Sequence, residues 1–321
     1  MSETLPISVI MSVYKEPTEW LCQSIDSILN QTFPDFEFII ICDNPEYNDG
    51  IKKLKDYAVK DCRINLIFNE ENIGLTKSLN KGLKVSKGKY VARMDADDIS
   101  LPTRLEKQYE YMENHPDVIV LGTMLKRFGH ETCKTWWEPN EAANYSDDDL
   151  KAQMLFGNCI AHPTAMIRKD VLSLNHITYD ESYRHSQDYR LWEQLMPFGK
   201  FAKLKDVLLN YRVSEQQITK SNSLSQSNLS FAISYRCQYY WLESMGFAFN
   251  IEEIQNEPFK ILDEIKTRKS LRNSKSFKAF VQFVYLNSQD GKKRLASFVK
   301  GDFRYMTIWN SIRYILKNIK R

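Results

Sequence analysis

The chain lacks any run of about 18 consecutive apolar residues, which excludes a membrane-spanning helix. Its six cysteines (Cys22, Cys42, Cys62, Cys133, Cys159 and Cys237) form no Cys-x-x-Cys pair and no His-spaced cluster. Thiolate-bound metal is therefore not expected, and these side chains read as small hydrophobes in a reducing compartment. No basic segment with an apolar core precedes the first strand-like run, so export is not expected and a cytoplasmic location is. Met11 to Glu16 contains no glycine, so the first strand is not followed by a Gly-rich phosphate loop. Net charge is only +3, but it is unevenly spread. From Lys292 to Arg321 nine basic residues stand against Asp302 alone, giving that tail +8 and the rest of the chain −5.

What is present reads as a soluble globular protein. The 321 residues are 43% hydrophobic and 26% charged, enough for one large or two ordinary domains with a substantial core. In the first half, β-rich runs at Ile7 to Val13, Phe36 to Cys42, Ile64 to Phe68 and Lys89 to Met94 alternate with helical stripes at Thr18 to Asn30, Asp49 to Val59 and Leu75 to Val85. Units of this length imply an α/β fold with a mostly parallel sheet and right-handed crossovers. Ligands of such sheets sit outside the carboxyl ends of the strands.

The fourth run, Tyr90-Val91-Ala92-Arg93-Met94, ends in Asp95-Ala96-Asp97-Asp98. Residues two apart share a face of a strand, so Asp95 and Asp97 point the same way and make half of a site for Mg²⁺ or Mn²⁺, with water and substrate phosphate completing the shell. The competing expectation is that Asp98, Ser100 and Pro102 cap a helix beginning near Leu101. The same rim collects Tyr14 and Glu16 after the first strand, Asp43 and Asn44 after the second, and Asn69 and Asn72 after the third. Asp43 suits a base N–H or a ribose hydroxyl because a carboxylate only accepts. Asn72-Ile73-Gly74 gives a tight turn ahead of a helix start that can face an anion, and Lys77, Lys81 and Arg93 offer positive charge near phosphates, the lysines being equally readable as a solvated helix face.

Taken in order, Ile7-Ser8-Val9-Ile10-Met11-Ser12-Val13-Tyr14-Lys15-Glu16, Gln31-Thr32-Phe33, Phe38-Ile39-Ile40-Ile41-Cys42-Asp43, Asn72-Ile73-Gly74 with Asn80-Lys81-Gly82, Gly88-Lys89-Tyr90 and Asp95-Ala96-Asp97-Asp98 resemble the family-2 inverting glycosyltransferases of GT-A fold, the kind that build bacterial O-antigens and capsules. The resemblance covers about Ile7 to Arg212. It implies a GT-A nucleotide-binding sheet flanked by helices over residues 1–220, followed by a helical region over 221–321. It further implies a nucleotide-sugar pocket of Ser12, Val13, Tyr14, Glu16, Asp43, Asn72, Lys77, Arg93, Asp95, Ala96 and Asp97, with Asp43 on the base, usually uracil, and Asp95 and Asp97 on Mn²⁺ or Mg²⁺. Asp98 is left without a role by the match.

A further motif, Ser186-Gln187-Asp188-Tyr189-Arg190-Leu191-Trp192, matches the position where relatives carry Glu-Asp-x-x-Leu, which makes Asp188 the implied general base; Gln187 departs from the usual Glu. Asp188 also reads as a helix N-cap. Asn158 to Thr164 resembles an acceptor-side segment, placing His162 near the acceptor, while Trp137 is a candidate platform for a sugar ring. Ser214 stands where some relatives have His after Tyr211-Arg212-Val213, so a third protein metal ligand is not expected.

The implied reaction moves a hexosyl unit from a UDP-sugar, UDP-glucose or UDP-galactose first, to a sugar hydroxyl on an undecaprenyl diphosphate-linked intermediate. Alternatives are a sugar nucleotidyltransferase, disfavoured by the glycine-free first loop, and a catalytically silent nucleotide-sugar-binding module. Processive polymerisation is not expected without membrane spans or a Gln-x-x-Arg-Trp segment. Ser221 to Asn228 reads as a flexible connection, and Leu229 to Leu242, Ile251 to Lys266 and Ser276 to Leu286 read as helices. In the basic tail Phe303, Tyr305, Trp309, Ile312 and Ile315 interleave with Lys and Arg, a pattern that suits either an anionic membrane surface or packing on the domain. No nucleic-acid module is recognisable there, and none is expected.

Overall fold

A computed structural model describes residues 5–129, 145–154 and 157–214, together with Ser230, Ile233, Arg236 and Cys237. Trp136, Trp137, Cys133, the Ser221 to Asn228 connection, most of the expected C-terminal helices and the basic tail lie outside the described residues. The chain divides into one unit of Met1–Ala142 with Ile160–Gln226 and another of Ala143–Cys159 with Ser227–Arg321. The first carries the sheet and the candidate site residues described below.

The alternation read from the sequence is realised closely. Strands β1 (Ile7–Val13), β2 (Phe36–Cys42), β3 (Ile64–Phe68) and β4 (Tyr90–Asp95) are joined by helices α1 (Thr18–Leu29), α2 (Asn48–Lys60) and α3 (Leu75–Val85). These strands lie in the order β3-β2-β1-β4, and every pair among them is parallel. Helices cover both faces of such a sheet, which is why β1, β2 and β4 are almost continuously apolar and buried. In α1, Leu21, Ile25 and Ile28 recur at helical spacing and are fully buried on that sheet.

Beyond β4 the sheet becomes mixed. Short β7 (Met166–Arg168) runs antiparallel to both β4 and β6 (Val118–Phe128), β6 is parallel to β8 (Lys200–Arg212), and β5 (Ile99–Ser100) closes the edge antiparallel to β8. Helix α4 (Arg104–Asn114) begins three residues later than the capping pattern predicts. The cause is sheet pairing: Ile99 and Ser100 face Asn210 and Leu209, and Leu101 N–H still bonds Leu208 O at 2.9 Å. Gln31 fixes this stretch, its Nε2 donating to Ser27 O, Ser100 Oγ and Leu101 O while its Oε1 accepts from Leu105 N–H. The remaining helices of the described chain include α5 (Asp147–Met154), α6 (Lys169–Leu174) and α7 (Gln187–Leu195), with a 3₁₀ turn at His162–Thr164.

Gly88 shows how tightly β4 approaches β1. A Cβ there would lie 2.4 Å from Ser8 N and 2.6 Å from Ile7 C, both backbone atoms that cannot turn aside. Its N–H also donates to Ser8 Oγ at 2.8 Å. Gly88→Ala is therefore expected to destabilise the fold by about 1–3 kcal/mol, read as a lower midpoint in urea denaturation with the slope unchanged; a midpoint equal to the wild type would mean that the β1–β4 entry relaxes freely.

Candidate active site

Strand order reverses direction between β1 and β4, and in a parallel sheet the crevice at such a switch is where ligands enter. Register brings the two strand ends together, since Ser12 pairs with Asp95. Val13 stands opposite Cys42 at the end of β2, and Val13 O accepts from Asp43 N–H at 2.7 Å. The loop after β1 is shaped by Glu16, whose Oε2 accepts from Tyr14 N–H at 2.8 Å, and by Tyr47, whose hydroxyl donates to Glu16 O. Tyr14 remains 39% exposed at the rim, open to a planar ligand.

The acids crowd one another. Burial, followed by the charge of Asp95, pushes Glu16 up from the ordinary carboxylate value. Burial together with Asp95 and Glu16 pushes Asp97 up to about 7. Arg93, 2% exposed, donates from Nη2 to Asp95 Oδ1 at 2.5 Å, while Ala96 between the two carboxylates is buried and Ser24 Oγ holds Asp95 O. Hard oxygen donors kept close against their own repulsion fit a divalent cation, which would relieve that repulsion. Among the described residues no group of three or more His, Cys, Asp or Glu is arranged to hold one ion. Asp95 and Asp97 would thus supply part of a shell that water and phosphate oxygens complete.

Asp98 does not cap a helix, as the sequence pattern allowed. It is fully buried, and its Oδ1 accepts from Arg212 N–H at 2.8 Å. Burial and its acidic neighbours raise its pKa well above the ordinary value. Arg212 binds the whole acidic loop: Nε donates to Asp97 O at 2.7 Å, Nη2 to Gln23 Oε1 at 2.6 Å, and the guanidinium lies over the rings of Trp20 and Phe128 at 4.8 and 4.5 Å. Beneath it Arg104, also fully buried, donates to Arg93 O and to Gln108 Oε1.

Asp43 is 2% exposed and organises the turn before α3. Its Oδ1 accepts from Asn69 Nδ2 and Ile73 N–H and its Oδ2 from Gly74 N–H, all within 2.9 Å. Three of roughly four carboxylate acceptor sites are thus taken, leaving one for a ligand. Asn72 Oδ1 accepts from the same Gly74 N–H, and Gly74 sits at φ +87°, a conformation that favours glycine. Lys81, read from sequence as a phosphate or surface charge, instead bonds Asn69 Oδ1 at 2.7 Å. Lys77 is exposed in the first turn of α3.

The remaining candidate residues come from the second part of this unit. Asp188 lies in the first turn of α7, but the N-cap is Ser186, held in the left-handed region at φ 57°; Asp188 is the second residue of the helix. His162 is 7% exposed, its Nε2 is 2.7 Å from Tyr179 Oη, and its ring lies edge-on to those of Tyr179 and Trp192. Burial, aided by the charge of Arg93, holds this imidazole well below its ordinary pKa and hence neutral. Tyr179 is buried beside His162. Burial raises its pKa, and the charges of both Asp188 and Asp95 reach it and add to the rise, while Arg93 opposes. Tyr179 and Arg212 were not singled out by motif reading in these roles. The available signal was Tyr211-Arg212, whose partners nothing in the linear sequence reveals.

A parallel half-sheet with cation-ready acids at its switch point, extended by a mixed sheet beyond β4, is the architecture of a GT-A-type glycosyltransferase. The sequence profile of glycosyl transferase family 2 matches residues 8–174, and the chain belongs to that family. It is 38% identical over 219 residues to the O-antigen biosynthesis glycosyltransferase WbnJ of Escherichia coli, covering 67% of this chain and 82% of that protein. It is 34% identical over 222 residues to the amylovoran biosynthesis glycosyltransferase AmsE of Erwinia amylovora, covering 66% and 78%. Among solved structures, S. aureus TarS 1–349 in complex with UDP-GlcNAc superposes with a TM-score of 0.60 at 15% identity, covering 98% of this chain and 91% of that one. The mannosyltransferase PcManGT of Pyrobaculum calidifontis, in complex with GDP-Man and Mn²⁺, gives 0.56 at 12% identity over 98% and 86%. These two likenesses concern the fold.

Proposed function

We propose that the protein transfers a hexosyl unit with inversion from a UDP-sugar, UDP-glucose or UDP-galactose first, to a sugar hydroxyl of a lipid-diphosphate-linked intermediate in surface-polysaccharide synthesis. The observation that carries this reading is the acidic end of β4, where Asp95 stands in register with Ser12 at the switch point of the sheet and burial beside Asp95 and Glu16 raises the pKa of Asp97. A displacement at C1 needs anion stabilisation on the leaving side and a proton acceptor on the attacking side. The relatives' roles in O-antigen and amylovoran biosynthesis support the substrate class.

In this reading Asp43 uses its remaining acceptor site on the uracil N–H, and the Ser12 to Glu16 segment lines the nucleoside. Asp95 and Asp97 hold Mn²⁺ or Mg²⁺, which when bound neutralises the departing diphosphate. Arg93 holds the Asp95 carboxylate and Arg212 the main-chain carbonyl of Asp97. Asp188 accepts the proton of the acceptor hydroxyl as the new C1–O bond forms; the C1–O bond to phosphate breaks, and its electron pair leaves with UDP.

The test incubates the full chain with a panel of UDP-sugars and Mn²⁺ and follows UDP release, with water as the default acceptor. Slow hydrolysis of one or two UDP-hexoses, lost on chelation, is the expected result; nucleotide binding with no release from any sugar would leave a silent binding module instead.

The basic tail, outside the described residues, completes the proposal as a peripheral contact with an anionic membrane surface that carries the lipid-linked acceptor. Removing residues 292–321 is expected to shift the protein from sedimented anionic vesicles to the supernatant at low salt. An unchanged distribution would assign the tail to packing on the protein itself.

A further inference from the structure

β3 is the outermost strand on the side of the sheet away from β5, and β2 is its neighbour in the strand order. In a parallel ladder the N–H and C=O of one residue point to the same side, and successive residues alternate. Both ends of β3 fix which residues face which way: Phe38 N–H donates to Arg63 O at 2.7 Å, and Asn69 N–H donates to Cys42 O at 2.9 Å. Arg63, Asn65, Ile67 and Asn69 therefore direct their main-chain groups at β2, while Ile64, Leu66 and Phe68 turn theirs outward. The N–H of Ile64 folds back onto Asp61 O at 3.2 Å. That leaves Ile64 O and both groups of Leu66 and Phe68 along the rim of the sheet.

Edge strands are ordinarily guarded by charge, proline or a bulge. Ile64-Asn65-Leu66-Ile67-Phe68 has no charge and no proline, and its register with β2 is unbroken. Phe68 stays 41% exposed although Lys55 of α2 lies over its ring at 5.7 Å. The charges stand just outside the strand, with a different sign at each end. Before it come exposed Lys60 and the Arg63–Asp61 ion pair, net +1; after it come exposed Glu70 and Glu71, net −2.

We propose that β3 is a homodimer interface, two copies pairing their β3 strands antiparallel about a twofold axis at Leu66. A residue whose two main-chain groups both point outward can exchange both bonds with its own counterpart, which sets Leu66 opposite the partner's Leu66. Ile64 then stands opposite the partner's Phe68, so that the C=O of one meets the N–H of the other and the exposed ring gains an apolar neighbour. The twofold axis reverses the strand and brings the Lys60–Arg63 end of each copy to the Glu70–Glu71 end of the other. The same charges oppose a parallel pairing, which sets like ends together. At its far edge the sheet ends in β5, two residues long and too short to repeat the contact, so association closes at two copies. The dimer stands independently of the sugar-transfer reading, since nothing in it involves the nucleotide site.

The test uses the full chain at low ionic strength, without nucleotide. Sedimentation between about 1 and 100 μM should show a monomer–dimer equilibrium, and residue-resolved hydrogen exchange should locate it. The amides of Leu66 and Phe68 are expected to exchange about tenfold faster on dilution to monomer, while those of Asn65 and Ile67, directed at β2, stay protected throughout. Two surface variants check the charge pairing without touching the core. Glu70→Lys combined with Glu71→Lys, and separately Lys60→Glu, should each dimerise about tenfold more weakly than the wild type, yet an equimolar mixture of the two should form a heterodimer.

A wild type that stays monomeric over this range would overturn the proposal. So would a dimer whose Leu66 and Phe68 amides exchange alike at every dilution, which puts the contact on another surface, or two charge variants that fail to pair when mixed.

Discussion

Asp188→Asn is expected to abolish sugar transfer while leaving UDP binding nearly intact. The substitution is isosteric and removes only the ability to accept a proton, a contribution of about 10²–10⁴ in rate for a positioned general base. Asp188 sits in the first turn of α7, where a carboxylate also favours the helix N-terminus by about 0.3–1 kcal/mol. Thermal melts beside the wild type separate any loss of fold from loss of turnover. The turn at Asn72–Gly74 that Asp43 organises is untouched by the substitution. Calorimetric titration with UDP and Mn²⁺, set beside turnover of the competent UDP-sugar, separates the two. A collapse of UDP affinity in this variant would move Asp188 to the donor side and remove the proposed base.

Asp97→Asn is expected to act the other way round, with nucleotide binding and turnover falling together while the free protein becomes more stable. In the free protein the Asp97 carboxylate is partly buried against Asp95 and Glu16, so its charge is held at a cost that the amide does not share. In the proposed reaction the same charge would hold cation and diphosphate, and its removal is expected to forfeit several kcal/mol of stabilisation. Thermal melts of the apo proteins and Mn²⁺-dependent UDP titrations should therefore shift in opposite directions. A variant that melts lower and binds UDP as before would mean that Asp97 is a structural acid and that the cation belongs elsewhere.

Much of the first half of this fold was legible because its signals are local. Ile7 to Val13 and Phe36 to Cys42 are continuous apolar runs at strand length, α1 carries its stripe at helical spacing, and observed and expected boundaries agree within about a residue or two. What stayed hidden was set by long-range pairing. β7 is three residues long, too short to declare a period, and β5 consists of Ile99 and Ser100, which look like a helix cap until β8 arrives from more than a hundred residues away. The site divides in the same way. Asp95 and Asp97 follow from strand alternation, whereas Asp98 reads as an extra acid because its partner is the backbone of Arg212. Lys81 reads as a surface charge because its partner, Asn69, stands at the end of another strand.

Arg212 also bears on what a working fragment of this enzyme must contain. The family profile stops at residue 174, yet the acidic loop at Asp95–Asp98 leans on a guanidinium and a main-chain N–H contributed 38 positions later. A piece trimmed to the profile would keep the ligands and lose their splint. Shuffling donor halves between relatives will accordingly succeed only when the swapped segment and the final strand of the sheet travel together.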